Sequence, residues 1–297
     1  MRTIRYIVLL ALCSWLFAPA KAQLLYEVSG KSSKQKSYIL ATNRLVNMQF
    51  LDTIPNVFKC FAKCQTVITE FAMQDYEALA ALRQAAVLPD STKLRAYYSE
   101  TDYAFIDNGL RAYIGMGLDQ LCRMKPAYLT EMVRAELLRR WLQYDEQNSM
   151  ENFFENVAAE KNIPVIGLDH IGETMYMLFD REPFEWQCKE LVKVLEYPEN
   201  EVKQERAIRD LYKQGLLTDI AYQIEGPNNS STLSYSDYQV FCQRNTEWTK
   251  RLAPYLGKGA CFITLNAIYL GGEKGLLEQL RTAGYRVRPV NRRIHLK

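Results

Sequence analysis

The sequence predicts an α/β fold: a single domain with a mixed central sheet of about five or six strands, flanking helices and a large helical insertion. Three observations carry that prediction. β-rich runs cluster at both ends of the chain and in its middle, helical periodicity fills the blocks between them, and no Pro/Gly/Ser linker is long enough to separate domains. With 297 residues, 48% of them hydrophobic, the chain can bury a sizeable core.

In chain order, "LLYEVS" (Leu24–Ser29) and "KSYILAT" (Lys36–Thr42) read as a β-hairpin joined by the polar "GKSSKQ". "LDTIPNVFKCFAKC" has helical periodicity with Pro55 early, where proline is tolerated, and "TVITEF" (Thr66–Phe71) reads as a buried strand. From Gln74 to about Gln147 the signal is almost purely helical, with apolar residues three and four apart in "DYEALAALRQAAV" and "PAYLTEMVRAELLRRWLQY". "IPVIGLDH" predicts a strand over Ile163–Leu168 ending in a charged turn, and helices return from about Gly172 to Gln223. After the polar "EGPNNSSTLS" a further helix runs through "DYQVFCQRNTEWTKRLAPYL". The last unit, "ACFITLNAIYLGGEKGLLEQLRTAGYRVRPV" (Ala260–Val290), reads as strand, turn, helix and strand, with "GGEKG" opening the helix.

Residues 1–22 read as a secretory signal peptide and 23–297 as the mature domain. Arg2 and Arg5 precede the apolar run "YIVLLALCSWLFA", and Ala20 and Ala22 are placed as in a cleavage site. A retained anchor would need roughly 18 to 20 apolar residues, and lipid attachment at Cys13 would follow a large residue, Leu12, where such signals want a small one. The expected location is therefore the periplasm or outside the cell, with no membrane span after cleavage. Of the 37 basic residues Arg2, Arg5 and Lys21 leave with the signal, so basic and acidic residues then balance at 34 each. That balance gives no global reason to expect nucleic acid as a partner, and the locally basic tail "RVRPVNRRIHLK" reads as a solvated end. Cys60, Cys64, Cys122, Cys188, Cys242 and Cys261 remain, irregularly spaced in a domain that needs no staples; most read as buried thiols, with Cys60 and Cys64 at i, i+4 near enough for a strained bridge. The 19 tyrosines are scattered through helical segments and read as packing.

Most familiar catalytic templates are excluded. Only His170 and His295 are present, no paired-histidine zinc signature occurs, and there is no G-x-S-x-G, G-x-x-x-x-G-K-[ST] or G-x-G-x-x-G.

The motifs "LLYEVSG", "SYILATNRL", "TVITEF", "IPVIGLD", "RNTEW" and "ITLNAIYLGGEKGLLEQLRTAGYRVRPV", in that order, resemble the TraB/GumN family, which includes the Tiki-like proteases. The resemblance spans the mature chain and is most specific in its last thirty or so residues. It implies a fold of the ChaN and erythromycin-esterase type, with two G-x-x-H motifs holding a divalent metal between sheet-end turns. In this chain the motifs read Ala41-Thr42-Asn43-Arg44 and Asn266-Ala267-Ile268-Tyr269, so both histidines are replaced.

The replacements can be weighed. Arginine offers no lone pair and repels a cation, and tyrosine ligates only as a phenolate. Asn266 tolerates left-handed turn geometry better than most residues in place of glycine. The expectation is a retained scaffold with an erased metal site, in which Arg44 pairs with Glu70 and supplies the charge a metal would have brought. The candidate cleft residues are Arg44, Glu70, Arg244, Asn266 and Tyr269, with Arg244 and Asn245 reading equally as family cleft residues or as a plain helix surface. Glu273 in a first helical turn is explained by the dipole alone.

The expected function is that of a binding or regulatory module, a pseudoenzyme with no cofactor and an unidentified peptide, protein or small-molecule ligand. The alternative is a divalent-metal-dependent peptidase or hydrolase of Tiki type with Mn or Co, using Glu70, Asp169 and His170 as altered ligands with Arg244 nearby. Haem or iron held through Tyr269 is a third reading.

Overall fold

The computed structural model describes residues 23–30, 35–72, 76–89, 93–145, 147–225 and 235–290. The proposed signal peptide, residues 31–34 of the polar "GKSSKQ", residues 226–234 and the basic tail with His295 lie outside these residues. Among the described residues no helix is long and apolar enough to cross a membrane.

Strands β1 (Leu25–Ser29) and β2 (Ser37–Thr42) form the expected antiparallel hairpin, with Leu25 opposite Leu40. With β3 (Thr66–Thr69), β4 (Val165–Gly167), β5 (Cys261–Asn266) and β6 (Arg286–Pro289) they make a six-stranded mixed sheet in the order β4-β3-β5-β2-β1-β6. Pairing is parallel from β4 through β3 and β5 to β2, and β1 is antiparallel to both its neighbours. The central strands β2 and β5 are buried almost throughout, which is why "SYILAT" and "CFITLN" do not alternate. β6 exposes three of its four residues, in keeping with an edge strand.

Strands β3 and β4 stop short of the runs Thr66–Phe71 and Ile163–Leu168 that the sequence suggested, because the chain turns at the sheet edge. Backbone pairing nevertheless continues past them, from Leu168 N to Thr69 O and from Asp169 N to Glu70 O, each 2.9 Å. This holds Glu70 and Asp169 in register beyond the last ladder residues.

The connections are helical: α1 (Val57–Phe61), α2 (Tyr76–Ala85), α3 (Glu100–Ile114), α4 (Leu118–Leu121), α5 (Pro126–Leu142), α6 (Met150–Glu160), α7 (Ile171–Met175), α8 (Phe184–Glu196), α9 (Pro198–Lys213), α10 (Leu217–Glu225), α11 (Tyr235–Leu256) and α12 (Leu276–Thr282). The "LDTIPNVFKCFAKC" periodicity resolves into a 3-10 turn at Met48–Thr53 and the short α1. Apolar residues collect in two cores. One surrounds the sheet and takes in Phe154, Tyr212, Trp248 and Leu276; the other lies in the helical insertion, built from Leu110, Leu129, Leu137 and Leu191. Helix α9 joins them, giving Val202 to the insertion core and Ile208 and Tyr212 to the sheet core. All six described cysteines are free thiols, and Cys64 Sγ donates to Cys60 O at 3.3 Å, so the two do not form a bridge.

The glycines of "GGEKG" are set by close packing and turn geometry. A Cβ on Gly271 would lie 2.0 Å from Leu217 O at the start of α10, and one on Gly275 would lie 2.0 Å from Gly271 O. Gly272 adopts φ +79°, a left-handed conformation that favours glycine. Gly271→Ala is expected to destabilise the fold by about 3 kcal/mol, at the upper end of overpacking penalties, because its neighbour is backbone and cannot swing away. Urea unfolding of the variant against wild type checks this.

Candidate functional site

Parallel pairing places the ends of β2, β3, β4 and β5 along one sheet edge, where open α/β sheets present their functional groups. Thr42 is opposite Asn266 and Thr69 opposite Gly167, so both degenerate motifs, Glu70 and Asp169 leave the sheet side by side. Each motif contains an Asx turn, begun at its third residue in the first motif and at its first residue in the second. Asn43 Oδ1 accepts from Leu45 N at 2.9 Å, and Asn266 Oδ1 accepts from Ile268 N at 3.2 Å, each folding the chain sharply through an Asx turn.

At this edge Arg244, on α11, is the common partner of three strand ends. Its Nε donates to Asp169 Oδ2 at 2.9 Å, its Nη2 contacts the same oxygen and ion-pairs with Glu70 Oε2 at 3.2 Å, and its Nη1 donates to the Tyr269 hydroxyl. The guanidinium carbon lies 4.4 Å from the Trp248 ring centroid and 4.7 Å from that of Tyr269. The other carboxylate oxygens are also engaged: Asp169 Oδ1 accepts from Trp248 Nε1 at 2.6 Å, and Glu70 Oε1 accepts from Asn266 N at 2.7 Å. Asn245 Nδ2 donates to Tyr269 O and Lys274 O, fastening α11 to the second motif turn.

Burial sets the protonation states. It pushes the Glu70 carboxyl above its ordinary value of 4.5, against the pull of Arg244 and the Asn266 N–H. It also pushes the Tyr269 phenol up, against Arg244, so that the phenol stays neutral. The arrangement therefore offers no lone carboxylate oxygen as a base and no phenolate.

A family model described as the TraB/PrgY/gumN family matches residues 24–289, nearly the whole chain. The chain belongs to the TraB/PrgY/gumN family. No curated protein and no solved structure matches it.

The divalent metal that TraB membership implies does not fit the donors at this edge. The guanidinium bridges Glu70 and Asp169, has no lone pair to give and would repel a second cation. Nor do the altered ligands Glu70, Asp169 and His170 assemble. His170 is exposed, with its backbone N–H bonded to Glu173 Oε2 at the start of α7, and among the described residues no three His, Cys, Asp or Glu side chains are grouped to hold an ion.

The expected pairing of Arg44 with Glu70 is corrected by the structure. Arg44 Nη2 ion-pairs with Glu205 Oε1 on α9 at 2.9 Å, while Glu70 pairs with Arg244. The next residue explains the detour: Leu45 is buried in the insertion core, so the chain after β2 is drawn towards the helices. Of the candidate residues, Glu70, Arg244, Asn266 and Tyr269 are brought together; Asp169, weighed only as a metal ligand, joins them and Arg44 does not. Trp248 closes the "RNTEW" motif that carries the resemblance, but the sequence reading assigns it no role of its own. It stands four residues after Arg244 on the stripe of the buried Asn245, Trp248 and Leu252 and the half-buried Phe241, a spacing that predicts one shared face.

Two outcomes follow for this cluster. Arg244→Met leaves two partly buried carboxylates without their cation and is expected to cost about 3–5 kcal/mol, measured by urea unfolding at neutral pH. Because Glu70 binds its proton more tightly folded than unfolded, its contribution is fully present below 4.5 and is lost as pH rises through the raised folded value. The stability difference between wild type and Glu70→Gln should therefore shift against wild type as pH is raised from 4.5, read from unfolding curves across that range.

Proposed function

We propose that this TraB-family chain is an exported protein that has lost metal-dependent hydrolase activity and works as a binding or regulatory module in the periplasm or outside the cell. The observation that carries the reading is that every oxygen of the Glu70 and Asp169 carboxylates is engaged by a protein donor, Arg244, Trp248 Nε1 or Asn266 N. A hydrolytic centre needs a group free to activate water or to hold a metal that does so, and each such group at this edge is committed to a protein donor. Export is supported by the sequence of residues 1–22 alone.

Elemental analysis of the purified chain tests the loss. No stoichiometric metal is expected, and hydrolysis of a casein or peptide substrate in added Mn or Co should not exceed that of Glu70→Gln. Equimolar, tightly held Mn, Co or Zn with metal-stimulated cleavage would restore the Tiki-type hydrolase reading. A Soret band would point instead to haem at Tyr269.

A further inference from the structure

We propose that the open cavity beside the first degenerate motif binds a small hydroxylated oxyanion, a sugar acid or sugar phosphate, through Lys213, Arg209 and Arg44. This gives a ligand class to the binding reading above and rests on it only in taking the chain to be a binder.

The space at the sheet edge lies here. The cavity near Tyr269, lined by Phe241, Asn245 and Gly271 among others, holds about 10 Å³, whereas the cavity between the turn after β2, the end of α5 and the last turns of α9 holds about 540 Å³. The larger volume is within the range of small-molecule sites, roughly 300–1,000 Å³.

Its walls are held in place. Met48 N donates to Asn148 O at 2.7 Å, a β-bridge joins Asn47 to Ser149, and the Phe50 ring packs 5.8 Å from that of the buried Tyr212. Tyr212 in turn donates to Ala41 O in β2, so cavity, helix α9 and first motif form one unit.

The lining has an excess of donors. Arg44 is neutralised by Glu205 and Arg209 contacts its neighbour Asp210, yet both remain cationic surfaces of the cavity. Asp145, the acid on the lining, is occupied by Gln147 N and Asn148 Nδ2. Lys213 has no anionic partner among the described residues, and the amides of Asn47, Gln49 and Gln143 make no side-chain hydrogen bond there. An unpaired ammonium with two guanidinium groups suits an oxyanion, primary amides pair equally with hydroxyl donors and acceptors, and Phe50 with Leu45, Val46 and Leu142 offers an apolar wall for the carbon face of a ring.

Calorimetric titration of the purified full chain with glucuronate, glucose 6-phosphate, glucose and inorganic phosphate tests the proposal. At least one charged sugar should bind tenfold or more tightly than glucose and than inorganic phosphate; glucuronate leading identifies a carboxylate ligand, glucose 6-phosphate a phosphate ester. Lys213→Gln, at an exposed helix end, should keep the thermal unfolding midpoint and weaken that ligand about tenfold, some 1.4 kcal/mol. No binding of either charged sugar, equal binding of glucose or of inorganic phosphate, or an affinity unchanged in Lys213→Gln would overturn it. Metal content reads the edge at Arg244 and these titrations read the cavity at Lys213, so each reading can fail without the other.

Discussion

Arg244 reaches from α11 across the ends of three parallel strands, and its guanidinium is the one group that Glu70, Asp169 and Tyr269 share. The geometry of the edge depends on it because each of those residues follows a different strand. Without a common partner, two carboxylates less than a third exposed would face each other across the β3–β4 step. One positive charge for two negative ones leaves a residue of negative charge in a partly desolvated place, and the strain shows in Glu70, whose affinity for its proton rises, first through burial and further through Asp169. A divalent ion would neutralise both carboxylates; the guanidinium neutralises one and fixes the other by directional hydrogen bonds.

The aromatic setting makes the buried guanidinium tolerable. Trp248 and Tyr269 lie against the guanidinium, and a delocalised, weakly hydrated cation against aromatic rings loses less on burial than an ammonium would. Trp248 also spends its indole N–H on Asp169, so the same side chain shelters the cation and holds the anion. Cation, anions and rings form one interdependent cluster, and that interdependence accounts for a largely buried charge at this edge.

The fold was legible in outline because its signals are local. Continuous apolar runs marked β2, β3 and β5, and helical periodicity marked the insertion. The strand ends were read too long because hydrophobic runs do not record where the chain bends away from a ladder. The site was half legible. Glu70, Asn266, Arg244 and Tyr269 stood in recognisable motifs, but which acid meets which arginine is a tertiary matter: Arg44 and Arg244 are equivalent as charges, and Leu45, by burying itself in the insertion core, carries Arg44 to Glu205. Trp248 stood in the "RNTEW" motif without a role, because a tryptophan on a helical stripe predicts packing and only the position of Asp169 past β4 gives its N–H a second one.

The outline of a motif and the chemistry of its side chains answer to separate constraints here. Gly271 and Gly275 are required because backbone from α10 and from the turn itself lies where a Cβ would go, and Asn43 and Asn266 each close an Asx turn at the end of neighbouring strands. None of these demands involves a ligand, so the motif outline would survive any change of side chain at positions 44 and 269 that the packing allows. At position 269 a ring stacks in the cluster and its hydroxyl accepts from Arg244; at position 44 a cation leaves the edge and joins α9. The two turns, each built on an Asx turn, serve different neighbours: one closes the edge around Arg244, and the other forms part of the wall of a space open to solvent.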